Sequence, residues 1–153
     1  MENFNSINEI LDFAIEREQE AVEFYTNMAD NSSDTAMKNV FIQFSREEMG
    51  HKSKLMHLKS SNLPIFNTLN QNIQDLKIAD YTVKIEPRPG MTYQEALILA
   101  MQKEKAAFKL YQNLANKTPD DNIKNLFLTL SQEEARHKLR FEIEYDEFVL
   151  KEN

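Results

Sequence analysis

Four stretches of this chain carry apolar residues at alternating steps of three and four, the spacing of one face of an α-helix. The first stripe runs Leu11, Ala14, Glu18, Ala21, Tyr25 and Met28, and the second Met37, Phe41, Phe44, Glu48, His51, Leu55 and Leu58. The third runs Leu97, Ala100, Glu104, Ala107, Tyr111 and Leu114, and the fourth Ile123, Phe127, Leu130, Glu134, His137 and Phe141. The spacing predicts helices over about 6–30, 34–60, 92–116 and 119–150. Ser6-x-x-Glu9 and Thr92-x-x-Glu95 read as matched capping boxes at the first and third starts. Asp34 or Ser33 is the expected cap of the second helix. Thr118 is the expected N-cap of the fourth, with Pro119 at its first helical position. The loops inside each pair are short, so each pair should form an antiparallel hairpin.

The two pairs are copies of one another. Residues 9–52 written above residues 95–138 give 17 identities in 44 positions without a gap, where composition alone would give about three. Internal duplication of a helical hairpin accounts for this and chance does not. Residues 61–91 lie outside the repeat. Pro64, Pro87, Pro89 and Gly90 break helix there, and Leu76, Ile78, Tyr81, Val83 and Ile85 follow no clean period. This stretch is expected to be an ordered strap crossing the outside of a four-helix bundle. A crossover of that length lets the third helix run parallel to the second. The expected organisation is one all-α domain over 1–153, with hairpins at about 6–60 and 92–150 joined by the strap at 61–91.

Composition supports helices: two glycines and four prolines in 153 residues are few. The net charge of -7 argues against a nucleic-acid partner, which would call for a basic face. No basic amphipathic stretch, no signal-peptide pattern and no apolar run of membrane-spanning length is visible, so a cytoplasmic protein without membrane contact is expected. The lack of cysteine excludes disulfides, thiolate chemistry and cysteine-held metal centres in this chain.

Each stripe holds a glutamate in an otherwise apolar seam: Glu18, Glu48, Glu104 and Glu134. No lysine or arginine shares those stripes. Burying four uncompensated carboxylates would cost many kcal/mol. Glu48-x-x-His51 and Glu134-x-x-His137 stand 86 residues apart, and the same offset carries Glu18 onto Glu104. Residues at i and i+3 share one helix surface, so each Glu and His can reach one ion or two adjacent ions. Two divalent cations would balance four carboxylates and leave two neutral imidazoles as nitrogen ligands. Mixed oxygen and nitrogen donors suit iron or manganese, and zinc as well. One Glu-x-x-His is weak, but two in equivalent seams with two further seam glutamates are a strong pattern. Glu47 and Glu133 also repeat, about 100° around the helix, and fit solvated or supporting roles. Glu16, Glu20, Glu23 and Lys103 fit surface positions, and His57, opposite Ile143, is read as a non-ligand. Tyr25 and Tyr111, two turns beyond the first- and third-helix glutamates, could hydrogen-bond a ligand carboxylate or serve as core aromatics. Gly50, opposite Arg136, is given no role.

Several motifs together resemble the ferritin-like di-iron carboxylate proteins, and most closely the rubrerythrin family. They are Ala14-x-x-x-Glu18-x-x-Ala21-x-x-Phe24-Tyr25, Glu47-Glu48-x-x-His51, Ala100-x-x-x-Glu104-x-x-Ala107-x-x-Leu110-Tyr111 and Glu133-Glu134-x-x-His137. The resemblance spans all four helices. It implies a ferritin-like four-helix bundle of two pseudo-symmetric hairpins holding two iron ions. Glu48 and Glu134 would bridge, and Glu18, Glu104, His51 and His137 would be terminal ligands. Typical family members also carry a four-cysteine rubredoxin module, absent here, and many place an extra glutamate where this chain has Ala107. Cage-forming ferritins match less closely, since no fifth helix follows the fourth. The implied activity is a non-haem di-iron oxidoreductase, peroxidase- or ferroxidase-like. It would reduce peroxide or O2 with electrons from an external carrier protein, and a homodimer is expected. The alternative is a metal-binding or iron-handling protein without turnover.

Overall fold

Ser6 starts the first helix. It is extended, and its Oγ accepts the Glu9 N–H at 3.1 Å, satisfying one of the orphan donors of a helix start. The Glu9 carboxylate accepts from the Asn5 side-chain amide at 3.2 Å. The computed structural model describes residues 2–152, and every regular element among them is helical. The elements are α1 (Ile7–Asp30), α2 (Thr35–Ser61), α3 (Phe66–Asn72), a 3₁₀ turn (Ile78–Tyr81), α4 (Tyr93–Lys117) and α5 (Asp121–Glu152). The chain divides into two compact units, one of residues 4–74 and the other of residues 1–3 with 75–153.

In the unit of residues 4–74, α1 and α2 form an antiparallel hairpin. Asp34 caps α2 by accepting the Ala36 and Met37 N–H groups at 2.9 and 3.3 Å, so of the two expected candidates it is Asp34 that acts. The hairpin buries Leu11, Ala14, Ala21 and Tyr25 of α1 and Met37, Phe41, Phe44, Leu55 and Leu58 of α2. Tyr25 stacks on Phe41 and meets Phe44 edge-on, with centroids 6.5 and 6.4 Å apart. The strap, expected to carry no helix, contains α3. Seven residues are too few for a periodic signal to stand out, but Phe66, Leu69 and Ile73 are buried on one face. Asn70 of α3 accepts the Ile7 N–H at 2.8 Å, satisfying another orphan donor at the start of α1.

The second unit repeats the hairpin with α4 and α5. Thr92 and Glu95 make both hydrogen bonds of the capping box at 3.1 Å. The Thr92 backbone and then the Arg88 guanidinium hold the Glu95 carboxyl below its ordinary pKa. Beside that cap Tyr93 donates to Glu144 at 2.9 Å and meets Phe148 edge-on at 5.1 Å. The strap residues of this unit are anchored through Tyr81, which is buried and accepts from the Asn113 amide at 2.7 Å. Asn3 bridges Lys77, and the Ile78 N–H donates to the Glu2 carbonyl at 3.1 Å. No described helix is long and apolar enough to cross a membrane.

The start of α5 differs from the expected one. The Thr118 hydroxyl donates to the Leu114 carbonyl at 2.6 Å and its N–H to the Ala115 carbonyl at 3.2 Å, so Thr118 closes α4. Asp120 is the cap instead, accepting the Ile123 N–H at 3.0 Å, and Pro119 stands before the helix. An aspartate two residues further on outcompetes a threonine already engaged behind it. Asp120→Ala should therefore destabilise the protein by about 1 kcal/mol in urea unfolding. No loss in that variant would show that the cap lies elsewhere.

Candidate metal centre

In the unit of residues 4–74, α1 presents Glu18 and α2 presents Glu48 and His51. All three lie on the apolar seam and are at most 2% exposed. His51 Nδ1 sits 3.5 Å from Glu18 Oε2 and 3.3 Å from Glu48 Oε1. One donor atom from each residue falls within 4.8 Å of the others. Burial opposes the charged imidazole, but Glu18 first and then Glu48 outweigh it and push the His51 pKa up to about 11.

The unit containing α4 and α5 builds the same cluster from Glu104, Glu134 and His137, each at most 1% exposed. His137 Nδ1 lies 3.5 Å from Glu104 Oε1 and 4.0 Å from Glu134 Oε1. Here too the three donors fall within 4.8 Å of one another. In each hairpin the helical spacing that sets the seam brings the expected residues together.

The donor set fits a divalent ion. A metal with ligands at about 2.0–2.2 Å holds them no more than about 4.4 Å apart, so small side-chain rotations close either cluster around one. Carboxylate oxygens and an imidazole nitrogen are the donors that iron, manganese and zinc accept. Both imidazoles turn Nδ1 toward the carboxylates.

The neighbouring residues sort as follows. Tyr25 and Tyr111 are fully buried, and Tyr111 stacks on Phe127 at 6.4 Å as Tyr25 stacks on Phe41. Glu47 and Glu133 are half-buried, unlike the enclosed Glu48 and Glu134. Glu16, Glu20 and Glu23 are exposed, with Arg17 bound to Glu20 at 2.9 Å and Gln19 to Glu23 at 3.2 Å. Lys103, expected at the surface, is half-buried. His57 is exposed, and Gly50 faces open space. One contact was not anticipated from the sequence: Lys52, directly after His51, donates to Gln19, directly after Glu18, at 2.8 Å. Lys52 matches Lys138 between the halves, but Gln19 faces Lys105 in the repeat, which hid the pair.

Comparison with known proteins gives the fold and the family. A structure assigned as a ferritin-like diiron-carboxylate protein from Thermotoga maritima matches with a TM-score of 0.79 at 18% identity, covering 96% of this chain and 99% of that one. A hypothetical protein from Pyrococcus furiosus matches with a TM-score of 0.72 at 24% identity, covering 92% and 89%. The fold is thus ferritin-like and all-α, as the resemblance implied. No curated protein sequence shows significant similarity. The sequence profile of the rubrerythrin family matches residues 9–145, and the chain belongs to that family. It is a ferritin-like family member without cysteine, and so without a rubredoxin-type iron site in these 153 residues.

The metal-free protein should show a pH signature of His51. Its folded pKa lies above the ordinary 6.5, so its charged pairing with Glu18 and Glu48 stabilises the fold fully below about pH 6.5. That contribution fades as pH rises toward about 11. Thermal unfolding of metal-free protein from pH 6.5 to 10 should show the decline, and His51→Ala should lack it. Parallel curves for the two proteins would refute the pairing.

Proposed function

We propose that this protein is a non-haem di-iron oxidoreductase that reduces peroxide or O2 with electrons from a separate carrier protein. In this reading the two units act as one ferritin-like domain. Glu18, Glu48, His51, Glu104, Glu134 and His137 hold two divalent ions, iron first, with manganese or zinc as other occupants. Glu48 and Glu134 would be the ligands shared between the ions and the other four terminal, as the family resemblance implies. Membership of the rubrerythrin family supports this. The observation that carries it is the duplicated, enclosed Glu–Glu–His cluster, whose charges a pair of divalent cations would balance. The protein is read as a cytoplasmic homodimer with no nucleic-acid partner and no membrane contact.

A bound iron pair would supply the two electrons that, with two protons, reduce peroxide to water. The protein's share is placement and proton handling. The apolar seams around Glu18 and Glu104 keep bulk water from the donors. His51 Nδ1, protonated in the metal-free state, surrenders its proton when an ion takes its place. Tyr25 and Tyr111 stiffen the helices two turns from the ligands by stacking on Phe41 and Phe127. With no cysteine in the chain, re-reduction falls to an outside donor. The same lack, with Ala107 where many relatives place a glutamate, favours iron handling without turnover as the second reading.

Iron-reconstituted protein should contain two metals per chain by elemental analysis, and fewer than one would end the di-metal reading. Glu48→Ala and Glu134→Ala should lower metal content to a similar degree, while Glu16→Ala should leave it unchanged. Reduced protein should consume about one peroxide per chain, then stop. Adding a rubredoxin-type carrier with its reductase should restart consumption, and persistent single turnover with several carriers would favour iron handling.

A further inference from the structure

The hairpins repeat each other's ligands but only part of the contacts beside them. In the first, the Lys52–Gln19 hydrogen bond lies next to His51 and Glu18. One turn toward the hairpin loop, Ser45 Oγ donates to the Val22 carbonyl at 3.2 Å and sits 2.9 Å from Thr26 Oγ1. Val22 stands one turn after Glu18, and Ser45 one turn before Glu48. Polar contacts therefore tie α1 to α2 beside the ligand layer and one turn toward the hairpin loop. They resist any sliding of one helix past the other that would part Glu18 from Glu48 and His51.

The second hairpin has Lys105 and Lys138 at the positions of Gln19 and Lys52. Two ammonium groups offer donors and no acceptor, so this pair cannot form the contact. Lys138 binds Glu142 on its own helix instead. Ser131, the counterpart of Ser45, keeps one cross-helix contact, accepting from Gln112 of α4 at 2.9 Å as Ser45 meets Thr26, but its hydroxyl donates to the Leu128 carbonyl of its own helix at 2.7 Å instead of across to α4. The histidine follows the difference: His51 has both carboxylates within 3.5 Å, whereas His137 has its second at 4.0 Å. Lys105 also sets a positive charge beside Glu104 where the first hairpin has a neutral side chain. Lys105 is exposed, so solvent makes this a small addition in the same direction.

We infer that the half-sites are inequivalent: Glu18, Glu48 and His51 take up the first divalent ion, and Glu104, Glu134 and His137 take up the second more weakly. Gln19, Lys52 and Ser45 are the positioning residues that create the difference. The inference rests on the two-metal reading above. Donors already held in place lose less freedom on binding. Removing the groups that support metal ligands typically costs about 10–100-fold in affinity, so a separation of about tenfold is expected.

Cobalt(II) is the probe, titrated into the metal-free full chain at pH 7 and followed by visible absorption and calorimetry. The wild-type protein should bind two ions in two steps, the first about tenfold tighter. His137→Ala should keep the tight step, and His51→Ala should lose it. Gln19→Lys should weaken the first step toward the second, and Lys105→Gln, which restores an acceptor opposite Lys138, should tighten the second toward the first. Lys105 is an exposed position, so that variant decides the matter even if Gln19→Lys loses helix content by circular dichroism. Equal affinities in His51→Ala and His137→Ala, or an unchanged isotherm in Lys105→Gln, overturn the inference and leave the two-metal reading intact. A wild-type protein that binds less than one ion removes both.

Discussion

Glu18, Glu48, Glu104 and Glu134 are each at most 2% exposed and sit in seams that are otherwise apolar. A carboxylate so placed needs positive charge or hydrogen bonds close at hand, or several kcal/mol are lost for each one. In the unit of residues 4–74 the nearest response is the His51 imidazolium, drawn to Glu18 and Glu48. One such proton leaves the cluster short of neutrality, since two carboxylates face one imidazole. A divalent ion would supply the missing charge and the coordination together. The remaining features of each hairpin serve to hold that arrangement in place.

Side-chain size is graded along each hairpin accordingly. Beside Glu18 and Glu104 the seam carries Ala14, Ala21 and Ala100, which leave room for carboxylates to turn. Toward the hairpin loops it fills with Tyr25, Phe41 and Phe44 in one unit and Tyr111 and Phe127 in the other. Aromatic stacking at that end gives a stiff support, and the smaller side chains beside Glu18 and Glu104 leave space around the carboxylates. Support of this kind matters because a ligand set loosened by about 1 Å loses much of its function.

Duplication explains why two equivalent clusters exist, and divergence explains why they are not identical. Each hairpin kept the residues facing its seam, where a change would strand a buried charge or open a cavity. Positions at the edge of the seam were freer to drift. Gln19 against Lys105 is such a pair, and it converts a cross-helix hydrogen bond into two separate cations. The strap lies outside the repeat and has its own anchors in Phe66, Leu69 and Tyr81.

Much of this was readable in the sequence, because seam position is a local property. The steps of three and four put Glu48 and His51 on one face before any neighbour is considered, and the 86-residue offset repeats the inference for Glu134 and His137. Ser6, Asp34 and Thr92 announce their helices by cap chemistry that acts within three residues. The cap of α5 was misplaced because Thr118 and Asp120 both suit the role, and only the engagement of Thr118 with Leu114 decides between them. Helix α3 is set by packing of Phe66 and Leu69 and by the Asn70 contact with Ile7, 63 residues away. The Lys52–Gln19 and Ser45–Val22 contacts depend on how far one helix is rotated and slid against another. Sequence by itself determined which residues share a helix face, since that follows from 3.6 residues per turn. Tertiary structure alone decided which side chains meet across helices, since that depends on packing many residues at once.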